Sequence, residues 1–525
     1  MKKRTLLAAV LSLSVYFFSF LPSAHAIEEF YDGKLKINGF VREAVMIRTQ
    51  MKDEDKQYHS NSVNYDITTG LLEALYTFKE DENGALRAYA GFKYWWEKAP
   101  MFDDQLHKSI YKTERKDYVR ARSFDDDVLT EAYIDYNNGP LQIKAGKQIV
   151  IWGQLDIQRV ADVVNPLDIR KGVPGVDTWE EVKRGIWMIR SIYKSQLPGD
   201  LQFEGIVNPG DYKGIELPYD GTYYGPEHSA TYPFKPGPAM GIFSYQSQKW
   251  RQDMPGFSLK NYELGFRMTG YTYNIDWTLL YWNARDDAPV ADPKQITPFT
   301  LKYISAGIFS EILNREINPP PTKSYGPRVY YFKRYTTFGG TAQTPVKPLW
   351  DSIWRFEWYL EKNRPMNQAT NGDKQSTNGW TRRNILGGAI ACSKSLWIPF
   401  FTDSILANSA LTDVTLTFFH EKIFHMEKDL VVDDRNHRAG NSNADQIILF
   451  VQQNLLQSSF MFIFTGNYFY HIDKWMAVPS LTYMFPGKHW RGDVGYIAYG
   501  VGRHNYIDRT TDSKDSLFLR MRYEF

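Results

Sequence analysis

Opposite charges are concentrated in one short segment of the sequence, residues 147–170. The candidate pore residues of this segment are Lys147, Gln148, Asp156, Arg159, Asp162, Asp168 and Arg170. Charges at this density do not suit a lipid-facing surface. In a loop that folds into a pore, opposed charges would set up a transverse field that selects ions. The same charges could instead pair with one another and fasten the loop to a wall, and the spacing leaves both roles open.

Catalytic and metal-binding patterns are weak in this sequence. His420 and His425 flank a glutamate in the stretch HEKIFH, but the spacing is one residue longer than in the HExxH zinc motif. On a strand, an odd separation also places the two side chains on opposite faces. No order of serine, histidine and carboxylate resembles that of a known hydrolase. We therefore predict no enzymatic activity, no metal ion and no cofactor, with a hydrolase built on a barrel as the rival class.

Strands are the elements that would position the charged segment, and the last strand is the clearest. One face carries Leu517, Leu519, Met521, Tyr523 and Phe525, while the other carries Phe518, Arg520, Arg522 and Glu524. Period-two alternation is typical of a strand between lipid and a polar lumen. A terminal aromatic on such a strand resembles the signal read by the outer-membrane barrel-assembly machinery, with Tyr523 and Phe525 as its residues. The edge strand of a soluble sheet is the alternative.

The same alternation recurs upstream, and the connections between the runs are of two kinds. Alternating runs lie at 35–42, 354–361, 460–470 and 475–485. Short turns lie at 79–84, 137–140, 197–200 and 270–274, and long polar connections at 96–127, 151–183, 208–260 and 285–324. The pattern predicts an all-β fold, a single antiparallel transmembrane β-barrel of 14–18 strands with short periplasmic turns and long extracellular loops. It leaves residues 285–349 undecided, including a strand at 328–338.

Composition is compatible with a barrel and excludes other classes. Aromatic residues make up 16% of the 525 residues, and the mean hydropathy is −0.45. Beyond the first residues no run of 18 apolar residues predicts a transmembrane helix. The chain has 62 basic and 60 acidic residues, a balance that does not suggest a nucleic-acid partner. Cys392 is the only cysteine, so an intrachain disulfide is excluded.

The first residues have the pattern of a secretory signal. Lys2, Lys3 and Arg4 precede an apolar stretch, and Ala24 and Ala26 form a small-x-small cleavage site. We predict a cleaved signal peptide at residues 1–26 and a single barrel domain at residues 27–525. An N-terminal membrane anchor is the alternative.

A motif in the charged segment resembles a known protein family. The motif reads G-x-Q-x-x-x-W-G-x-x-D and then N-P-x-D, and its named positions are Gly146, Gln148, Trp152, Gly153, Asn165 and Pro166. It is similar to proteobacterial outer-membrane proteins catalogued as domain of unknown function 1302. The resemblance implies a porin-like barrel, and some members are thought to work beside inner-membrane exporters of hydrophobic compounds. The amphipathic character of tryptophan places Trp152 at the barrel rim or the interface girdle.

These observations predict a channel in the outer membrane of a Gram-negative bacterium. It would conduct small, including hydrophobic, solutes, and residues 151–183 would constrict the lumen. A component that works with an inner-membrane exporter and a plugged structural barrel are the alternatives. Partners expected from the class are outer-membrane lipid and lipopolysaccharide, the barrel-assembly machinery, periplasmic chaperones and an inner-membrane exporter.

Overall fold

The computed structural model describes most of the chain. The described residues are 28–49, 63–98, 128–155, 158–168, 172–173, 176–214, 257–288, 290–291, 330–347, 351–370, 373–402, 410–428, 430, 440–485, 487, 489–501 and 515–525. The predicted signal peptide, with Ala24 and Ala26, lies outside these residues, as do Asp156 and Arg170.

The described residues form strands almost throughout. The first ten strands are β1 (Glu28–Phe30), β2 (Leu35–Arg48), β3 (Val63–Asp81), β4 (Gly84–Glu97), β5 (Leu129–Asn138), β6 (Leu141–Gln148), β7 (Ile186–Lys194), β8 (Gln202–Asn208), β9 (Glu263–Thr272) and β10 (Ile275–Arg285). The others are β11 (Val290–Ala291), β12 (Tyr330–Tyr331), β13 (Arg334–Val346), β14 (Ser352–Thr370), β15 (Asp373–Leu396), β16 (Thr412–Ile423), β17 (Asn443–Leu455), β18 (Phe460–Phe469), β19 (Lys474–Met484), β20 (Trp490–Val501) and β21 (Ser516–Glu524).

Eighteen of these strands close into one antiparallel barrel. Each pairs with its neighbour along the chain from β2 to β10 and from β13 to β21, with β10 beside β13. The barrel closes where β2 pairs with β21, and Phe40 lies opposite Glu524 at this seam. Strand β1 adds to β2, and β11 pairs with β12 outside the barrel sheet. The predicted all-β antiparallel barrel is confirmed, at the upper end of the predicted strand count.

Most short connections lie at one end of the barrel and most long connections lie at the other. We call them the turn end and the loop end. At the turn end, β9 and β10 are joined by Tyr273 and Asn274 alone, both with positive φ, as a tight hairpin turn requires. At the loop end, β6 and β7 are joined by residues 149–185. The undecided segment 328–338 contributes the start of β13, which runs from Arg334.

Alternation along the strands separates an apolar outer face from a polar inner face. On β14 the ring of Phe356 is 46% exposed, whereas the next residue, Glu357, is 0% exposed. On β21 Arg520 and Arg522 point inward to charged partners, opposite in direction to Leu519. This division is what a lipid-facing wall around a polar lumen requires. Among the described helices, none has the length and apolar character to span a membrane.

Candidate functional site

The described residues between 149 and 185 fold into the barrel, and we call them the lumen loop. The loop leaves and rejoins the wall at two positions that only glycine can occupy. Gly146 has a φ of +142°, and a Cβ there would lie 2.1 Å from the carbonyl oxygen of Ala132. A Cβ on Gly185 would lie 1.9 Å from the carbonyl oxygen of Thr130. The absence of both side chains therefore brings the loop base close against β5.

The first part of the lumen loop packs around Trp152. This indole is 1% exposed and meets the ring of Trp282 edge-on, with centroids 5.9 Å apart. Its Nε1 donates to Glu204 on β8 at 3.0 Å, and Glu204 also pairs with Arg190 and Arg267. A buried tryptophan needs such an acceptor. The expectation that Trp152 lies at the rim or interface girdle is wrong, because the loop carries it into the lumen.

A single carboxylate on β14 holds the loop where it crosses the lumen. Glu357 accepts the backbone N–H groups of Gln154 and Leu155 on one oxygen and of Ala161 on the other, the last two at 2.9 Å. Gly153 leaves room for this approach, since a Cβ there would lie 3.5 Å from Glu357 Oε1 and 3.1 Å from Asp162 Cβ. Three donors satisfy a carboxylate that would otherwise be costly to bury.

Charged and amide groups within the loop bind one another. Asp162 pairs with Lys183 at 2.5 Å, and Arg159 donates to the carbonyl oxygens of Asp162 and Asn165. Asn165, 0% exposed, accepts from Val150 N and donates to the carbonyls of Gln148 and Arg184. Burial lowers the pKa of Lys183 more than Asp162 raises it. These contacts fix the loop's own shape.

The second part of the loop reaches the barrel seam. Asp177 pairs with Arg42 of β2 at 3.0 Å and with Arg520 of β21 at 2.5 Å. Glu181 pairs with the same Arg42 at 2.6 Å and lies 3.6 Å from Arg522. Burial raises the pKa of Glu181, but the attraction of Arg42 and other cations outweighs burial and lowers it to about 2. The loop is thus fastened to opposite parts of the wall, at β14 and at the seam.

A cavity of about 330 Å³ remains on the loop-end side of the lumen loop. Its walls combine aromatic rings with charges of both signs. The charged lining residues are Arg159, Asp162, Lys213, Glu263, Arg285, Asp287, Glu361, Arg364, Glu421 and Asp445. Four of these are basic and six are acidic. Tyr335, Tyr359 and Trp282 provide apolar surface beside the charges.

The sequence profile of one family matches residues 7–525, and its description reads protein of unknown function, DUF1302. This chain belongs to the DUF1302 family. The motif at residues 146–168, from which the resemblance was drawn, is therefore placed by the structure inside the barrel of a DUF1302 protein. No curated protein matches the chain in sequence.

Solved structures similar to this DUF1302 chain are barrels at very low sequence identity. Salmonella typhi OmpF in complex with daunomycin has a TM-score of 0.41 and 9% identity, covering 95% of this chain and 100% of its own. Pseudomonas aeruginosa OpdK with vanillate has a TM-score of 0.44 and 7% identity, covering 94% and 98%. Acinetobacter baumannii OccAB4 has a TM-score of 0.47 and 8% identity, covering 96% and 100%.

The predicted pore residues that the structure of this DUF1302 chain describes lie at three places. Lys147 and Gln148 end β6 and are buried, donating to the carbonyls of Leu129 and Met188. Arg159 and Asp162 lie in the lumen loop and also line the cavity. Asp168 is half-buried beside the bridge between Leu167 and Lys183, and Pro166 accepts from Arg184 N. Their roles in permeation stay predictions.

The residues that hold the loop were not predicted. Glu357 and Arg42 come from strands far away in sequence, and Asp177 and Glu181 lie past the motif. The only signal for Glu357 in the sequence is a charge on the inner face of an alternating strand. Such charges occur on many strands, so no single one is selected without the fold.

His420 and His425 do not meet, since β16 carries the first and the turn beyond it carries the second. His420 Nδ1 and His471 Nε2 instead lie 2.6 Å and 2.7 Å from the two oxygens of Asp445. In the part of the chain that the structure describes, no group of three or more His, Cys, Asp or Glu is arranged to hold a metal ion.

Proposed function

We propose that this DUF1302 protein is an outer-membrane channel for small solutes, narrowed by the lumen loop. The outer wall supports a place in lipid, because its exposed side chains include Phe266, Leu279, Phe356, Leu416 and Ile447. The inner wall carries charged and hydroxyl side chains that suit an aqueous path. A Gram-negative outer membrane is the setting in which single-chain bacterial barrels of this kind occur.

The observation that carries the proposal is the fastening of the lumen loop at both walls. Glu357 binds its first part, and Arg42 with Arg520 binds its second part. A loop held across a lumen at two places reduces the free cross-section without filling the barrel along its whole length. The cavity of about 330 Å³ beside it gives a solute room to approach the constriction.

Several partners follow from this proposal. A barrel in the outer membrane contacts lipopolysaccharide and lipid with its apolar belt. Periplasmic chaperones and the barrel-assembly machinery would deliver it, with Tyr523 and Phe525 as the assembly signal. An inner-membrane exporter would supply hydrophobic compounds if the protein works as part of an export route.

Single-channel recording tests the proposal directly. The mature protein, refolded in detergent and shown to be folded by its heat-modifiable migration, is added to a planar bilayer in asymmetric salt. Discrete conductance steps with a measurable reversal potential are expected. Silence from folded protein over many insertions would contradict a conducting pore.

A plugged barrel is the second candidate, and one observation favours it. Apolar residues of the lumen loop enter three separate clusters on the inner wall, through Val173, Trp152 and Val160. Such broad packing could close the lumen. Recordings of the native protein and of the Glu357→Ala variant distinguish the two candidates. A plugged barrel would be silent in its native form and would conduct only in the variant, in which the loop is released.

A further inference from the structure

We infer that Arg491 and Arg522 form a binding site for the oxyanion of a small solute, inside the turn end of the barrel. The inference deepens the proposed function, because it names the chemical class of a solute that would enter from that end. It rests on the strand register, on the partners of each guanidinium group and on the ring of Phe40, which stacks against Arg522. Its test does not need the barrel to conduct.

Three arginines stand side by side on neighbouring strands at this end. Arg42 of β2 lies opposite Arg522 of β21, and Arg522 lies opposite Arg491 of β20. Directly opposed residues have Cβ atoms about 5 Å apart, where like charges repel. The row therefore needs neighbouring anions, or a bound one, to be stable.

Only one member of the row is fully occupied by the lumen loop. Arg42 is 2% exposed and its NH1 is bound by both Asp177 and Glu181. Arg491 uses its Nε for Asp493, at 3.0 Å, and its side chain is 30% exposed. Its terminal N–H groups donate to none of the residues that the structure describes. They remain available at the edge of the lumen.

Arg522 is similarly available. Its Nε is buried 2.8 Å from Glu524 as an ion pair, so a ligand would meet the terminal N–H groups of this side chain, which is 24% exposed. Glu181 is 3.6 Å from NH1, which is longer than a hydrogen bond. The guanidinium carbon lies 3.9 Å from the ring centre of Phe40, so the group is stacked in a fixed orientation.

The charges around the row are close to balanced, with one positive charge in excess. The cations are Lys93, Arg42, Arg491, Arg520 and Arg522, and the carboxylates are Asp177, Glu181, Asp493 and Glu524. Glu524 is 43% exposed at the rim, where solvent screens it. A guanidinium fork presents paired N–H donors that fit the oxygens of a carboxylate or a phosphate, and register places two such groups on neighbouring strands.

Equilibrium binding to the folded, full-length mature protein in detergent tests this site. The probes are 4-fluorobenzoate, followed by fluorine NMR line width, and inorganic phosphate, followed by phosphorus NMR line width. Saturable broadening is expected, and it should weaken as salt rises. Broadening by either probe supports an oxyanion site, and broadening by one probe alone distinguishes a carboxylate from a phosphate ligand. No broadening by either probe overturns it.

Variants locate the site. Arg491→Gln and, separately, Arg522→Gln should each weaken binding at least about tenfold, because each loses charge-assisted hydrogen bonds. Arg491→Lys keeps the positive charge but loses the paired N–H donors, so its affinity should lie between that of the native protein and that of Arg491→Gln. Arg87→Gln is the matched control, since Arg87 lies near the same end, pairs with Glu80 and has no arginine opposite. Unchanged binding in both glutamine variants would overturn the site.

Conductance separates this inference from the proposed function. Binding to a silent barrel would leave the oxyanion site standing and remove the channel. A conducting barrel that binds neither probe would remove the site and leave the channel. Heat-modifiable migration of each variant shows that a loss of binding is not a loss of folding.

Discussion

Replacing Glu357 by alanine should release the lumen loop from β14. The carboxylate accepts three loop N–H groups, of which those of Leu155 and Ala161 lie at 2.9 Å. A hydrogen bond to a charged group contributes about 1.5–3 kcal/mol, so three give more than about 4 kcal/mol before water replaces some of them. We take about 3 kcal/mol as the net loss, which corresponds to an increase of more than about a hundredfold in loop opening.

Hydrogen exchange measured by mass spectrometry checks this value without requiring conduction. Peptides that cover residues 150–165 should lose protection by about a hundredfold in Glu357→Ala. Barrel strands such as β17 should keep theirs. Glu73→Gln is the control, because Glu73 is an inward carboxylate on β3 that binds Asn38 and Tyr89 rather than the loop. If protection of 150–165 in Glu357→Ala equals that of the native protein, the loop is not held by Glu357 and the reasoning fails.

Three further predictions concern the loop and the seam. The pKa of Glu181 is about 2 in the docked loop against about 4.3 in an unfolded chain, so the ionised carboxylate stabilises docking above about pH 4.3. This stabilisation should be lost as the pH falls towards 2. Proteolysis of the loop between pH 7 and 3 checks the prediction, and a constant resistance to cleavage would contradict it. Deleting Phe525 removes two backbone hydrogen bonds to Gly39 and should lower the heat-modifiable fraction of the protein in membranes several-fold. The Phe525→Tyr variant keeps both bonds and the terminal ring, so its heat-modifiable fraction should equal that of the native protein. Arg159→Ala should change the reversal potential, because Arg159 lines the cavity; equal potentials would remove it from the permeation path.

The barrel itself could be predicted from the sequence because period-two alternation is local information. The inward and outward residues of β14 and β21 follow directly from the order of side chains, since a strand has no other way to separate them. Turn positions such as 273–274 were equally local, although the strand ends differ by a few residues. Residues 292–329 lie outside the described residues.

The site could be predicted only in part. The charges at 147–170 predicted a loop that turns inward, but they did not identify the wall residues that hold this loop. Asp177 meets Arg42 and Arg520, which are 135 and 343 positions away in sequence. Such pairs depend on which strands close the barrel, and alternation carries no information about that. Trp152 was misplaced for the same reason, because an amphipathic ring suits an interface as well as a buried pocket with an acceptor.

Asp177 also has a consequence for how the barrel closes. Its two arginine partners belong to the first and the last strand of the closed sheet, so one carboxylate bridges the seam from inside. Both partners come together only when β2 and β21 are adjacent. Asp177 can therefore bridge the two strands only in a sheet that has already closed, and its ion pairs then stabilise that closed state. Replacing Asp177 by asparagine would weaken both ion pairs at the seam, where the first and the last strand of the barrel meet.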